Sequence, residues 1–417
     1  MGKVMFSQWT TVTFGEVVRL EQGLCFNKKT NHLMAEKGIP LLRIADLVNN
    51  TQTKFVDEER VPKRFIANPK DIIYSRTGQV GLVFKGKVGV VHNNCFRVIP
   101  KEGIERDYVY WYLRQPSIIQ KARSLAGGAA QPDLSHDAFK SISFTYPEVE
   151  IQRRIVAILS AYDDLIENNT RRIKILEDIA QALYREWFVK FRFPGHEKVR
   201  MVESELGMVP WGWEVKKLKN ISNRIDYGYT ASAKKETIGP KFLRITDIVP
   251  YLIDWDSVPY CEIADNILTK YELKEGDIVI ARTGATTGYG KRINKRHPKT
   301  IFASYLVRLR INPEYSNRYI GLIVESSAYK TFIKTNLGGA AQPQANAQIL
   351  TSIPILLPPK SIQISFDKII AEIIDQREML QIKNATLRRT RDLLLPKLIS
   401  GEVDVENIDV RFPDNRQ

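Results

Sequence analysis

Apolar residues recur in alternating steps of four and three along two stretches of the sequence, a spacing typical of helices that pack in a coiled coil. The stretches cover residues 150–198 and 361–417, and their equivalent positions differ by 211 residues. The apolar positions of the predicted seam are Ile151, Ile155, Ile158, Tyr162, Leu165, Ile173, Leu176, Ala180, Leu183 and Trp187 in the first stretch, and Ile362, Phe366, Ile369, Ile373, Leu380, Leu387, Leu394 and Leu398 in the second. The pattern predicts two equivalent long helices, packed antiparallel.

Polar residues interrupt this seam at Asn169, Gln376, Asn384 and Arg391. Such residues either set the register of a helix pair or contact a partner protein. Both interpretations stay open at this point.

The regions that precede the helices also repeat each other. Leu42–Asp46 (LRIAD) recurs as Leu243–Asp247 (LRITD), and Arg76-Thr77-Gly78 recurs as Arg282-Thr283-Gly284. Gly-Gly-Ala-Ala-Gln-Pro begins at Gly127 and again at Gly338. The offsets are 201, 206 and 211, so length changes lie inside the globular regions and none lies across a helix.

The chain therefore divides into four predicted parts: a globular domain at 1–149, a helical spacer at 150–198, a second globular domain at 199–360, and a helical spacer with a tail at 361–417. Within each globular domain, short β-branched runs alternate with segments of helical spacing. The predicted fold class is α+β, with two mixed α/β domains joined and separated by two long helices in a pseudo-two-fold internal repeat.

The positive charge of the chain lies in the globular domains. The sequence has 62 basic and 47 acidic residues, a net charge of +15, whereas the two helical stretches hold 18 of each and are neutral. A duplicated basic surface indicates a polyanion with two-fold symmetry, and double-stranded DNA has that symmetry. Because the two domains differ between their shared motifs, we expect the two halves of the target to differ in sequence.

The order globular domain, helix, globular domain, helix, with the Arg-Thr-Gly and Gly-Gly-Ala-Ala-Gln-Pro motifs in each half, resembles the specificity subunit of type I restriction-modification systems. The resemblance covers essentially the whole chain. It implies that each globular domain is a target recognition domain, and that the helices dock two adenine-N6 methyltransferase subunits, with restriction subunits in the full complex. It also implies that this chain has no catalytic site, metal or cofactor, and that S-adenosylmethionine, Mg²⁺ and ATP bind to the partner subunits.

The alternative from another class is a basic scaffold that binds RNA or another acidic partner. A catalytic role is not supported, because the nearest string to an adenine methyltransferase motif, Asn312-Pro313-Glu314-Tyr315, has a glutamate in place of the second proline. No apolar run reaches the roughly 18 residues of a membrane helix. We therefore expect a cytoplasmic protein that does not bind membranes.

Candidate DNA-binding residues follow the repeated motifs. Arg43 and Arg244 either contact DNA or pair internally with the aspartate three residues later. For Arg76, Thr77, Arg282 and Thr283, DNA contact and internal bracing are equally open. The loops that follow differ between the halves and add further candidates: Gln79, Lys85, Lys87, Thr286, Thr287, Tyr289, Lys291 and Arg292.

The glycine-rich repeat is the remaining candidate. Its residues Gly127, Gly128, Gln131, Gly338, Gly339 and Gln342 are identical in the two halves. Glycine at these positions permits close approach to DNA or close packing of the domain on the adjacent helix. The identity of the two copies favours a shared structural role.

Overall fold

The computed structural model describes residues 9–128, 130–250, 253–337, 344–406 and 408. Contacts divide the chain into two compact units, one formed by residues 1–167 and 386–417 and the other by residues 168–385. Each unit therefore contains one globular domain and a segment of each long helix. No helix in the described ranges is both long enough and apolar enough to span a membrane.

The first domain has eleven strands in the described residues: β1 Thr10–Thr13, β2 Val18–Gln22, β3 Met34–Ala35, β4 Ile39–Leu42, β5 Phe55–Val56, β6 Ile66–Ala67, β7 Ile72–Ser75, β8 Val83–Phe84, β9 Gly89–Val91, β10 Cys95–Pro100 and β11 Ser143–Tyr146. The domain is built on an antiparallel sheet of order β2-β10-β7-β8, with a separate pair β1-β11. A five-stranded sheet of order β3-β5-β4-β9-β6 contains one parallel pairing, β4 with β9. The helices are α1 Phe14–Val17, α2 Ile44–Asn49, α3 Arg106–Leu113, α4 Pro116–Leu125 and α5 His136–Lys140.

The second domain follows the first long helix, α6 Val149–Tyr184, and begins with a short hairpin. Its strands are β12 Met201–Ser204 and β13 Gly207–Pro210 in the hairpin, then β14 Glu214–Lys217, β15 Ser222–Tyr227, β16 Lys241–Leu243, β17 Ile278–Ala281, β18 Gly290–Arg292, β19 Thr300–Phe302, β20 Leu306–Ile311 and β21 Pro354–Leu357. Its helices are α7 Ile245–Ile248, α8 Asp265–Tyr271, α9 Asn317–Glu325, α10 Ser327–Asn336 and α11 Ala347–Leu350, before the second long helix, α12 Lys360–Ile399.

The two domains share one scaffold. The sheet β15-β20-β17-β18 repeats the order of β2-β10-β7-β8, and the pair β14-β21 repeats β1-β11. The parallel pairing of β16 with β19 repeats that of β4 with β9. These matches confirm the predicted internal repeat and the α+β fold class.

Both long helices end inside the stretches predicted for their spacers. Helix α6 continues as one π-helical turn over Arg185–Val189 and then stops, so the predicted limit at residue 198 is too long. Phe191 takes a positive φ of 58° beyond this turn, and Pro194 cannot continue a helix. Helix α12 ends at Ile399, two residues before Gly401, whose φ of 75° suits a helix exit.

Within each unit the two helix segments run antiparallel. In the second unit, the Asn169 side-chain amide donates to Asn384 Oδ1 at 2.9 Å, and the rings of Trp187 and Phe366 lie 5.7 Å apart. As the residue number increases along the first helix, the number of the contacting residue on α12 decreases, as expected for an antiparallel pair. In the first unit, Asp163 pairs with Arg391, and Ile155 shares a core with Leu398.

The buried seam differs in phase from the predicted one at two positions. Ile166 and Ile370 are buried, where the spacing predicted their exposed neighbours Leu165 and Ile369. Two adjacent apolar residues are present at each place, so apolar spacing alone does not distinguish them. Other predicted seam residues are buried or half-buried, including Ile155, Ile158, Tyr162, Leu176, Leu183, Phe366, Ile373, Leu387 and Leu394.

A duplicated glutamine attaches each domain to the start of its long helix. The buried Gln152 side chain accepts from the Glu105 N–H at 2.8 Å and donates to Pro147 O at 2.8 Å. Its counterpart 211 residues later, Gln363, accepts from the Ser316 N–H at 2.9 Å and donates to Pro358 O at 2.8 Å. Because Glu105 and Ser316 precede α3 and α9, these bonds fix the same element of each domain on its helix.

Variants of Asn169 and Asn384 test what this polar pair contributes to the stability of the second unit. The equivalent positions in the repeat hold Leu380 and Ile173, which are buried. Asn384→Ile alone removes the partner of the Asn169 amide and should lower the free energy of unfolding by about 1–3 kcal/mol. Adding Asn169→Leu should restore stability to the original value or above, because an apolar pair replaces both polar partners. Denaturant unfolding measures both variants; a double variant as unstable as the single one would contradict this account.

Candidate DNA interface

The repeated Arg-Thr-Gly motif forms the turn at the end of a central strand of each scaffold sheet, after β7 in the first domain and β17 in the second. Gly78 and Gly284 both have a φ of 76°, a conformation that side chains other than glycine rarely adopt. The Gly78 N–H donates to Pro132 O at 2.7 Å. The turn therefore contacts the glycine-rich repeat, and the two shared motifs of the first domain lie together.

In the first domain, Asp133 holds this turn. Arg76 donates from Nε to Asp133 Oδ1 at 3.1 Å and from Nη1 to Gln22 Oε1 at 3.1 Å, and it also forms an ion pair with Asp133 through Nη2. Thr77 Oγ1 donates to Asp133 at 2.5 Å. Burial alone would raise the pKa of Asp133, but the hydrogen bonds from Arg76 and Thr77 lower it overall. Arg76 and Thr77 thus brace the domain.

In the second domain, the equivalent turn has no carboxylate partner in the described residues. Gln344 occupies the position of Asp133 and forms an isolated β-bridge with Thr283. The Arg282 guanidinium carbon lies 4.8 Å from the centroid of the Tyr227 ring. The Arg282 N–H donates to Tyr305 O at 3.0 Å, and the side chains of Tyr227 and Tyr305 are exposed.

The internal pairing considered for Arg43 and Arg244 is present in both domains. Arg43 Nε donates to Asp46 Oδ2 at 2.7 Å. Arg244 makes a two-pronged pair with Asp247, with Nε–Oδ2 at 3.1 Å and Nη2–Oδ1 at 2.9 Å. The hydrogen bond to Asp247 raises the pKa of Arg244. These arginines precede α2 and α7, so the pairs fix the starts of two short helices.

The repeated aspartates before β7 and β17 belong to buried ionic clusters. Arg97 contacts Asp71 at 3.0 Å and pairs with Glu21. Its counterpart Arg308 is fully buried and contacts Asp226 at 2.5 Å, with Asp277 at 4.0 Å. Buried charges are tolerated only when they are paired and hydrogen-bonded. These clusters stabilise the scaffold.

Several candidates from the differing loops make internal contacts. Lys85 pairs with Asp107 at 2.8 Å and Lys87 donates to Asn50 at 2.7 Å. Thr287 is buried and donates to Gly284 O at 2.7 Å. Tyr289 lies under the Lys330 ammonium group, at 4.1 Å from the ring centroid. These contacts favour a packing role for the four residues.

Lys291 and Arg292 also make internal contacts. They lie on β18 against α9, where Lys291 contacts Glu325 at 3.4 Å and Arg292 contacts Asn317 at 2.7 Å. Arg292 is buried, and burial lowers its pKa. Because both side chains are engaged with α9, these contacts argue against a role of Lys291 and Arg292 in DNA binding. Gln79 is exposed and Thr286 is half-buried, so these two remain candidates.

The glycine-rich segment of the first domain is closed by two backbone hydrogen bonds between Gly127 and Asp133, at 2.8 and 3.0 Å. Gly128 has a φ of 93°, and Gln131 is exposed. The segment packs on the Arg76 turn, a contact that neither sequence-based interpretation included. Gly338, Gly339 and Gln342 lie outside the described residues.

The largest difference between the domains was not identified from the sequence. Between the scaffold strands, residues 23–71 of the first domain hold β3, β5 and β6 beside the shared β4 and α2, whereas residues 228–277 of the second domain hold α8 beside the shared β16 and α7. We call these segments the variable lobes. A signal existed, because the repeat offset changes from 201 at Leu42 to 206 at Asp71.

Comparison with known proteins identifies the repeated unit. The family described as "Type I restriction modification DNA specificity domain" matches residues 7–178 and again residues 210–389. The type I restriction enzyme MjaIX specificity subunit of Methanocaldococcus jannaschii is 27% identical over 345 residues, which cover 81% of this chain and 78% of that protein. The MjaVIII specificity subunit of the same organism is 24% identical over 414 residues, which cover 96% and 94%.

A solved structure shares the fold. The crystal structure of the type I restriction-modification system S subunit from M. genitalium matches with a TM-score of 0.59 at 15% identity, covering 95% of this chain and 98% of that chain. The two family matches coincide with the two copies of the internal repeat. The chain therefore belongs to the type I restriction-modification DNA specificity family, as a specificity subunit with two target recognition domains.

Proposed function

We propose that this subunit recognises an asymmetric, bipartite DNA sequence through its two domains and docks two adenine-N6 methyltransferase subunits on its long helices. Each domain reads one half of the sequence. The methyltransferase subunits then flip out and methylate one adenine in each half. In the full complex, restriction subunits also bind.

The observation that carries this proposal is that the two domains share one scaffold sheet but present different side chains at the turn after its central strand, β7 or β17. The first domain presents a turn held by Gln22 and Asp133, and the second presents Tyr227, Tyr305 and Arg282 at the equivalent place. The variable lobes differ as well. One scaffold with two surfaces is what two different half-sites require, because base edges are read by side chains at specific positions.

Exposed apolar side chains on the helices support the docking of partner proteins. In the second unit, Ile175 and Ile179 on α6 are 57% and 48% exposed, and Met379 and Ile382 on α12 are 40% and 42% exposed. Isolated exposed apolar residues are common on protein surfaces. Here Ile175 and Ile179 are four residues apart and Met379 and Ile382 are three apart, so each pair lies on one face of a helix whose seam side is already buried. Such a pattern is typical of a helix pair that is covered by another protein.

In this proposal the chain supplies recognition and positioning, and its partners supply the chemistry. S-adenosylmethionine, Mg²⁺ and ATP are bound by the methyltransferase and restriction subunits. The complex acts in the cytoplasm, where the chromosome is accessible. The surplus positive charge of the domains contributes affinity for DNA that weakens as salt is raised.

Replacing the first domain, residues 9–146, with the equivalent domain of another family member should change one half of the methylated sequence. The other half should remain, because the second domain has its own scaffold sheet and core. Mapping of methylated adenine in cells that express the hybrid with its methyltransferase tests this expectation. The reciprocal replacement of the second domain is the control and should change the other half. A change in both halves from one replacement would refute independent reading.

Ile179→Glu should weaken the binding of methyltransferase subunits by about tenfold or more, because a carboxylate would be buried without a partner at an apolar interface. Lys174→Glu is the matched control, since it adds the same group on the neighbouring turn, where the Lys174 side chain is 67% exposed. The control should bind nearly as well as the original protein. Binding is measured by titration of purified subunits; equal binding by both variants would place the docking surface elsewhere.

A further inference from the structure

The equivalent arginines Arg76 and Arg282 have different electrostatic surroundings. Arg76 is engaged by Asp133 and Gln22, and its side chain is 22% exposed. The carboxylate balances its charge within the domain. An arginine that is held and neutralised in this way has little capacity left for another anion.

Arg282 has lost both of these partners through replacement. Tyr227 ends β15 where Gln22 ends β2, and Gln344 bridges Thr283 where Asp133 bridges Thr77. Neither replacement carries a negative charge. Among the described residues, no hydrogen bond or ion pair engages the Arg282 side chain, and its buried Nε has no partner.

The guanidinium of Arg282 is nevertheless held in place. Its carbon lies 4.8 Å from the centroid of the Tyr227 ring, within the range of a cation–π contact. The ring is itself fixed, because Tyr227 Oη accepts from the Ala347 N–H at 3.0 Å. A guanidinium that stacks on an aromatic ring keeps its planar fork in one orientation, ready for an acceptor pair. The buried Nε leaves the two terminal Nη groups to meet a ligand.

We propose that Arg282, stacked on Tyr227, contacts DNA in the second domain through a bidentate interaction with a pair of acceptors, whereas the equivalent Arg76 is a positioning residue of the first domain. The acceptors are O6 and N7 of a guanine or two oxygens of a backbone phosphate, which present the same chemistry to the fork. The inference rests on the proposed function, because it assumes that this end of the sheet faces DNA. It adds that the two copies of one motif have different roles.

The decisive variants are Arg282→Gln and Gln344→Asp. The first removes the charge. The second places a carboxylate where the first domain has Asp133, so that Arg282 should become braced as Arg76 is. Both should weaken DNA binding about tenfold, the order of change expected from the loss of a bidentate contact. Neither should lower the melting temperature as much as loss of the Arg76–Asp133 ion pair does, since Arg282→Gln removes only the cation–π contact with Tyr227.

Arg76→Gln is the matched comparison at the equivalent position. It should lower the melting temperature, because Asp133 loses its arginine, and it should weaken DNA binding by the folded protein less than Arg282→Gln does, because Arg76 positions the turn and does not itself contact DNA. Affinity is measured for the complex of this chain with its methyltransferase subunits, on a duplex that carries its methylated sequence. Unchanged affinity in Arg282→Gln would overturn the proposal. So would normal binding by Gln344→Asp together with a drop in the melting temperature of Arg282→Gln as large as that of Arg76→Gln.

Two further arms separate the possible acceptors. If Arg282 contacts a phosphate, Arg282→Gln should weaken binding to all sequences and reduce the slope of log affinity against log salt by about one. If it contacts guanine, replacing one guanine of the second half-site by 7-deazaguanine should weaken the original protein but not the variant. Failure of the original complex to bind the duplex would instead refute the proposed function.

Discussion

The antiparallel seam between the two long helices is the interaction on which each unit depends. Asp163 and Arg391 meet across 228 positions of sequence, and Ile155 shares its core with Leu398. In the second unit, Trp187 and Phe366 join the core that includes Tyr319 of the domain. Because the seam and the domain cores are continuous in each unit, a change in the helices reaches the base of the domain directly. The glutamine bonds at Gln152 and Gln363 add a fixed orientation to that contact.

Much of this arrangement follows from the sequence because two copies can be compared. The equal spacing of apolar residues identified both helices, and the shared motifs identified two domains of one fold. The phase of the seam was wrong at Leu165 and Ile369, since each has an apolar neighbour and only tertiary packing selects between them. The pairing of Arg43 and Arg244 with aspartate was foreseen because both members recur at the same separation.

The candidate DNA-contact residues were harder to sort from the sequence. Residue type does not tell whether a cation faces solvent or a buried carboxylate, so Lys291 and Arg292 were candidates until their contacts with Glu325 and Asn317 were seen. The hydrogen bonds between Arg76 and Asp133 could not be predicted either, because the two residues lie 57 positions apart in the sequence. The difference between the variable lobes was not predicted, because residues 23–71 and 228–277 are nearly equal in number. Sequence repetition thus identified the scaffold, and three-dimensional contacts were needed to separate bracing residues from accessible ones.

The two domains keep the interactions that stabilise the sheet and differ where the sheet ends. Arg97 and Arg308 retain their buried acidic partners, whereas the partners of Arg76 and Arg282 diverge. Mapping methylated adenine across a genome, in cells that express this chain with its methyltransferase subunits, tests this account most directly. It predicts one motif with two different specified parts, separated by unspecified bases, and a methylated adenine in each part. A single continuous motif, or methylation that does not depend on this chain, would contradict it.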